Sequence, residues 1–288
     1  VSPTLPLSLD WEDWFQLCCP PYDTPDALDN FEDRLELATD LALQLCADAG
    51  AKGTWFCLAD QAQRHPELLR RIVSNGHRIG LHGLRHQRAF VQDRASFHQS
   101  LLNGKAIIED ISGVQVQGFR APEWSLRDEA AEYWRDLPAL GFTFDSSRAP
   151  LRILGDSSWP RRPYRLAKDL WELPPPVLGL GPLTVPLWGW AMRVLPEFIL
   201  SAEIKALAAE GAGTPLVLHP WELDERQPLL PQASLGHRFA HRAGLQGYGP
   251  RLKRLWSGLR LIALESWIEA KELSEAAESA LVLQEAHS

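Results

Sequence analysis

His82 and His86, in the run Gly80-Leu81-His82-Gly83-Leu84-Arg85-His86, stand four residues apart, a spacing that lets two imidazoles share one metal ion. On a helical turn it would set both rings on one face. An acidic cluster near the start, Asp10, Glu12 and Asp13 in Leu9-Asp10-Trp11-Glu12-Asp13-Trp14, offers the oxygen donor that a third ligand requires. Two His and one carboxylate leave metal positions open, which suits catalysis; structural zinc sites are usually closed by four protein ligands. Without an ion, the pair reads as two surface histidines.

The elements that must carry these groups alternate along the chain. Leu5 to Leu9 reads as a strand, and apolar residues from Phe31 through Leu35, Ala38 and Ala42 to Leu45 recur at helical spacing before Gly50. Thr54 to Leu58 is a short buried strand, Pro66 to Val73 a helix stopped by Asn75-Gly76, and Ile79 to Leu81 a strand that delivers the histidine pair at its carboxyl end. Further helices are expected over Phe97 to Ile111, Asp128 to Leu137 and Pro196 to Glu210, with strands over Val114 to Phe119, Phe142 to Phe144 and Leu216 to Leu218. Strands alternating with helices imply a parallel sheet or barrel, an α/β fold. The Pro-rich stretch from Arg148 to Trp190 excludes long regular helix and reads as an elaborated loop with short strands. The tail from Leu264 to Gln284 reads as a covering helix, with Leu264, Trp267, Ile268 and Leu273 as its docking face.

Composition narrows the function classes. With 288 residues, 45% of them hydrophobic, the chain can bury a full core as one domain. A net charge of -8 argues against broad contact with nucleic acid or an anionic membrane surface. Cys18, Cys19, Cys46 and Cys57 lack metal-binding spacing and read as free thiols. No run of about eighteen apolar residues spans a membrane and no basic-then-apolar signal peptide is visible, but the chain opens without Met, which leaves its compartment open. The 12 Trp suit either sugar stacking or core packing.

Five polar clusters each follow an expected strand: Asp10 to Asp13, His82 to His86, Arg120-Ala121-Pro122-Glu123-Trp124, Asp145-Ser146-Ser147, and His219-Pro220-Trp221-Glu222. In parallel α/β folds that edge hosts the site. In this order the clusters resemble the motifs of the polysaccharide deacetylases, the NodB-homology carbohydrate esterases. The opening Asp-x-Glu-Asp-aromatic-Phe resembles the branch found in bacterial exopolysaccharide loci, as do Phe239-Ala240-His241-Arg242 and Arg251-Leu252-Lys253-Arg254-Leu255 in its C-terminal extension.

The resemblance implies a distorted (β/α)7 TIM-like barrel over residues 1–225, with a C-terminal helical extension over 226–288 packing on it. It also implies a divalent metal, zinc ahead of cobalt or nickel, and removal of N-acetyl groups from an amino sugar of a bacterial polysaccharide or oligosaccharide. His82, His86 and one carboxylate would hold the metal, a second carboxylate would take a proton from water, and His219 would be the acid. Aligned on its first acid, motif one makes Asp10 the base and leaves Glu12 or Asp13 for the metal; aligned by strand register, it makes Glu12 the base and Asp13 the ligand. Asp10 as base with Asp13 as ligand is the expectation, Glu12 being a rival for either role.

Arg120 is expected to orient the base, because an Arg after a strand and before a turn-setting Pro can fork onto a carboxylate. Pro122, Trp124 and Trp221 would wall the acetyl pocket or stack on the sugar, with ordinary core packing as the alternative for the indoles. Asp145 would hydrogen-bond His219 and raise its pKa, or cap a turn; Glu222 would contact substrate or pair with an Arg. His65, His77, His98, His237, His241 and His287 are read as structural or solvent-facing. Two other activities fit the same motifs, deformylation or amide hydrolysis on a lipid-linked amino sugar or cyclic amide, and sugar binding without catalysis.

Overall fold

The computed structural model describes residues 2–24, 27–180 and 183–285, so Pro25, Pro182 and His287 lie outside the described residues. Its strands in chain order are β1 (Thr4–Trp11), β2 (Thr54–Leu58), β3 (Arg78–Gly83), β4 (Gly118–Phe119), β5 (Phe144–Asp145), β6 (Tyr164–Ala167), β7 (Leu170–Glu172), β8 (Val177–Leu180), β9 (Leu183–Pro186), β10 (Leu216–Leu218) and β11 (Arg260–Ile262). The helices are α1 (Ala27–Asn30), α2 (Leu35–Ala49), α3 (Ala59–Arg64), α4 (Pro66–Ser74), α5 (Arg94–Ser112), α6 (Trp190–Val194), α7 (Glu197–Ala209), α8 (Leu235–Arg242), α9 (Tyr248–Trp256) and α10 (Leu264–Glu285).

The main sheet runs β10-β1-β2-β3-β4-β5-β7-β6, with β11 added beside the first half of β1. From β10 to β7 every neighbouring pair is parallel, and only β6 at the edge runs antiparallel. This is the expected α/β fold, a distorted barrel whose sheet curls without closing: β10 and β6 each lack a second partner among the described strands. β8 and β9 form a separate hairpin within the Pro-rich segment, whose β6 and β7 extend the sheet.

Strand alternation splits the core in two. Leu5, Leu7, Leu9 and Trp11 of β1 face the helices in the large cluster with Trp55, Cys57 and Leu81. The opposite face packs Phe56 and Phe144 with Trp171 and Leu173, and is plugged by Leu264 and Ile268 from the first turns of α10. Gly80 and Gly118 make room for this inner layer, since a Cβ at either would lie 2.6 Å from Phe56 or 2.0 Å from Phe144.

Several expectations change. Asp128 to Leu137 is not one helix but short 3-10 turns at Asp128–Ala130 and Tyr133–Asp136. Phe31 precedes α2 and packs instead with Trp14, Phe15 and Tyr22. On α10, Leu273 is exposed rather than docked, the contact being made by Leu264, Trp267 and Ile268. The extension also contributes β11 to the sheet. All four cysteines are free, and no described helix is long and apolar enough to cross a membrane.

Candidate active site

The sheet order brings the carboxyl ends of β10, β1, β2, β3 and β4 side by side, and with them the groups that follow each strand. His82 lies in β3 and His86 in the bend after it, so the imidazoles converge through a strand end rather than a helical turn. Gly83, at φ 115, makes that turn of direction possible. The His82 Nδ1–H donates to the Arg120 carbonyl at 2.8 Å, which leaves Nε2 with its lone pair free.

Glu12 closes the cluster. Its Oε2 stands 2.9 Å from His86 Nε2 and 3.4 Å from His82 Nε2, and all three groups are buried. Burial alone would raise the Glu12 pKa, but the neighbouring His86, His82 and His219 outweigh it and hold the carboxyl well below its ordinary value. The expectation for Asp13 is corrected: its Oδ1 accepts the Trp14 N–H at 2.8 Å and its Oδ2 accepts the Arg34 N–H at 2.9 Å. Ser8 and Asp10 share one side of β1 and Leu9 and Trp11 the other; beyond the strand end the Glu12 N–H bonds the Asp10 carbonyl at 3.1 Å, and Asp13 is held by the backbone of Trp14 and Arg34.

These residues fit the divalent cation that the fold family implies. One ligand atom from each of Glu12, His82 and His86 lies within 4.8 Å of the others, and a nitrogen and oxygen donor set of this kind suits a divalent cation with positions left open. Cys18 adds a contact that the sequence reading did not assign, its Sγ standing 3.4 Å from His86 Nδ1.

Asp10 stands beside this cluster, one residue from the end of β1. Arg120 Nη1 donates to its Oδ1 at 2.5 Å, Arg120 Nη2 donates to Ser8 Oγ at 2.9 Å and to Ser146 Oγ at 2.8 Å, and the guanidinium lies 4.3 Å from the Phe56 ring centroid. Both partners are buried; one guanidinium nitrogen holds one carboxylate oxygen, and the contacts to Ser8 and Ser146 fix the guanidinium plane. The other oxygen, Oδ2, is 3.7 Å from His219 Nε2.

His219 follows β10 and opens a 3-10 turn, Pro220–Leu223. Its Nδ1 bonds Glu222 Oε2 at 3.1 Å, and Glu222 Oε1 pairs with Arg193 Nε at 2.9 Å. Burial would lower the His219 pKa, but the Glu222 hydrogen bond and charge outweigh it and push it up to about 9. Of the two expectations for Asp145, the contact with His219 is not made and the local one within Asp145-Ser146-Ser147 is. Asp145 instead accepts the Ser147 hydroxyl at 2.5 Å and sits beside Glu172 on β7, its register partner. Glu222 takes the place because it is three residues from His219 on the same turn, a His-x-x-Glu capping pattern legible in the sequence. Arg193, on α6, had no such signal.

Trp124 is buried against Trp188, at 4.6 Å between centroids, and meets the His219 ring edge-on at 6.4 Å. Backbone φ of 51° at both Glu123 and Trp124 sets that orientation. Pro122 is buried at the start of the same turn, with its carbonyl accepting the Ser125 hydroxyl at 2.6 Å. Trp221 donates its Nε1–H to Glu12 Oε1 at 3.2 Å, which joins it to the cation cluster.

Residues 24–143 match the polysaccharide deacetylase family, and residues 146–269 match a domain family of unknown function, DUF3473. The chain is 26% identical over 157 residues to a peptidoglycan deacetylase of Helicobacter pylori, a match covering 53% of each protein. Its matches span about half the length of the curated relatives or less. Among solved structures it resembles a Mycobacterium smegmatis protein described as a polysaccharide deacetylase, with a TM-score of 0.66 and 18% identity over 95% of this chain and 92% of that one. It also resembles the peptidoglycan deacetylase PdaC of Bacillus subtilis, with a TM-score of 0.53 and 16% identity over 96% and 95% of the two chains. At these identities the likeness to solved structures is one of fold.

Proposed function

We propose that this chain, which belongs to the polysaccharide deacetylase family, removes N-acetyl groups from amino sugars of a bacterial polysaccharide or oligosaccharide by metal-dependent hydrolysis. The observation that carries this reading is the convergence of Glu12, His82 and His86 beside an Arg-held Asp10 and a Glu-held His219 at one sheet edge. A sugar binder has no need of a base, a ligand triad and an acid in such proximity.

Glu12, His82 and His86 would hold the cation, which when bound supplies Lewis-acid polarisation of the acyl oxygen and brings the pKa of a water toward about 7. Asp10, held at Oδ1 by Arg120, accepts the proton of the attacking water at Oδ2. His219 is protonated at neutral pH, because Glu222 supports its charge, and gives the Nε2 proton to the leaving amine as the C–N bond breaks. Acetate and a free amino sugar result; the proton taken by Asp10 and that of the acetic acid pass to solvent, and His219 regains one proton to complete the cycle. Trp124 and Pro122 are read as a wall of the acyl pocket. Residues 1–225 are read as the catalytic barrel and 226–288 as an extension of it.

The test is acetate release from oligomers of N-acetylglucosamine by the protein as isolated, after chelation, and with zinc, cobalt or nickel restored. Release that chelation abolishes and a metal restores supports the reading. No metal-dependent release from any amide-bearing sugar contradicts it and favours a binding protein.

A further inference from the structure

Glu12 is engaged at both oxygens: Oε2 faces the two imidazoles, while Oε1 accepts the indole N–H of Trp221 at 3.2 Å. Trp221 is gripped in turn. The His241 ring stacks on it at 4.7 Å with 12° between planes, and the Arg193 guanidinium lies 5.6 Å from its centroid. His241 cannot swing freely, because its ring Nε2–H donates to the Trp14 carbonyl at 2.7 Å, and burial keeps it neutral by lowering its pKa to about 4. Arg193 donates to the carbonyls of Ala240, His241 and Ala243 at the end of α8, and its Nε pairs with Glu222. Helix α8 is thus tied to the carboxylate of the cation cluster and to the carboxylate behind the acid. Arg193, Trp221, Glu222 and His241 all fall within residues 146–269, the segment whose family has no assigned function.

We propose that Trp221 is a positioning residue for Glu12, and that α8, through His241 and Arg193, holds Trp221 in that role. The C-terminal segment then completes the cation site. With Oε1 occupied by the indole N–H, Glu12 presents Oε2 to the histidines; without that donor the carboxylate is free to turn. This proposal rests on the reading of Glu12, His82 and His86 as cation ligands.

The test is cobalt(II) affinity of the full chain, measured by chelator competition, with unfolding of the metal-free protein followed in parallel. Trp221→Phe keeps a ring against His241 and deletes the N–H, and is expected to weaken cobalt binding by roughly 10–100-fold, the usual effect of losing a partner of a metal ligand. The metal-free unfolding curve is expected to match that of the wild type. His241→Ala is expected to weaken binding in the same direction, and carries the test should Trp221→Phe not fold. Unchanged affinity in a folded Trp221→Phe overturns the proposal, or in His241→Ala should Trp221→Phe not fold, as does a loss of affinity matched by an equal loss of metal-free stability. A wild type that binds no cobalt overturns the cation reading together with this one, whereas tight binding by wild type and Trp221→Phe alike overturns this one alone.

Discussion

Arg120 and Asp10, both buried, meet through a 2.5 Å contact between Nη1 and Oδ1 across 110 residues of chain. The guanidinium also reaches Ser8 and Ser146, so it is a fixed plane against which the carboxylate is oriented. Arg120→Ala leaves a buried charge without its partner and is expected to cost about 3–5 kcal/mol of stability. Arg120→Lys keeps the charge but not the fork. Its kcat is expected to fall roughly a hundredfold while cation affinity is retained, since the His82 contact is with the backbone of residue 120. Denaturant unfolding and steady-state deacetylation check the two substitutions; an active, fully stable Arg120→Ala contradicts this role.

On the proposed mechanism Glu222 would set the pH range over which His219 is an acid. Glu222, with the charges of Glu12 and Asp10, pushes the His219 pKa up, so on that mechanism activity is expected to fall on the alkaline side as His219 loses its proton. Glu222→Gln removes the supporting charge and is expected to move this limb toward neutrality, with roughly tenfold lower activity at about pH 8.5. The sign for stability is the same: the His219 contribution is fully present below its ordinary value of 6.5 and is lost as pH rises through about 9. A pH-rate profile whose alkaline limb does not move in Glu222→Gln rules out the pairing as the cause.

Asp145 and Glu172 face one another across β5 and β7 in a fully buried position. Burial raises Asp145 to about 6, and burial with the Asp145 charge raises Glu172 well above its ordinary value, so the pair is held with a proton between them. Their stabilisation is present at low pH and is lost as pH climbs through about 6 and beyond. Glu172→Gln keeps a donor toward Asp145 without a second charge, and is expected to be more stable than wild type by roughly 1–3 kcal/mol at about pH 8.5, with little difference near pH 5. Urea unfolding at both pH values measures it; a variant equally destabilised at both contradicts the shared proton.

What could be read from the sequence was the order of strands and the group that follows each. Leu5 to Leu9, Thr54 to Leu58, Ile79 to Leu81 and Leu216 to Leu218 all appear as strands, and His82, Arg120 and His219 stand at the carboxyl edge as expected. The placement of Glu12 rather than Asp13 beside the histidines was not legible, because β1 ends at Trp11 and the turn that follows decides where each acid points. Arg193 and the His241–Trp221 stack were not legible. They depend on α6 and α8 meeting over the site, and no local pattern in the sequence encodes that meeting. The 3-10 turns near Asp128 stand where a helix was expected, although Ala130 and Leu137 are buried in the large core cluster.

The most direct measurement of the central claim is zinc titration of the wild type and of His82→Ala, Glu12→Ala, Asp13→Asn and His219→Ala by calorimetry. Wild type, Asp13→Asn and His219→Ala are expected to bind the ion. His82→Ala and Glu12→Ala are expected to lose it, and turnover of His219→Ala to fall about 10²–10⁴-fold with the ion in place. Binding retained in Glu12→Ala and lost in Asp13→Asn would contradict the account.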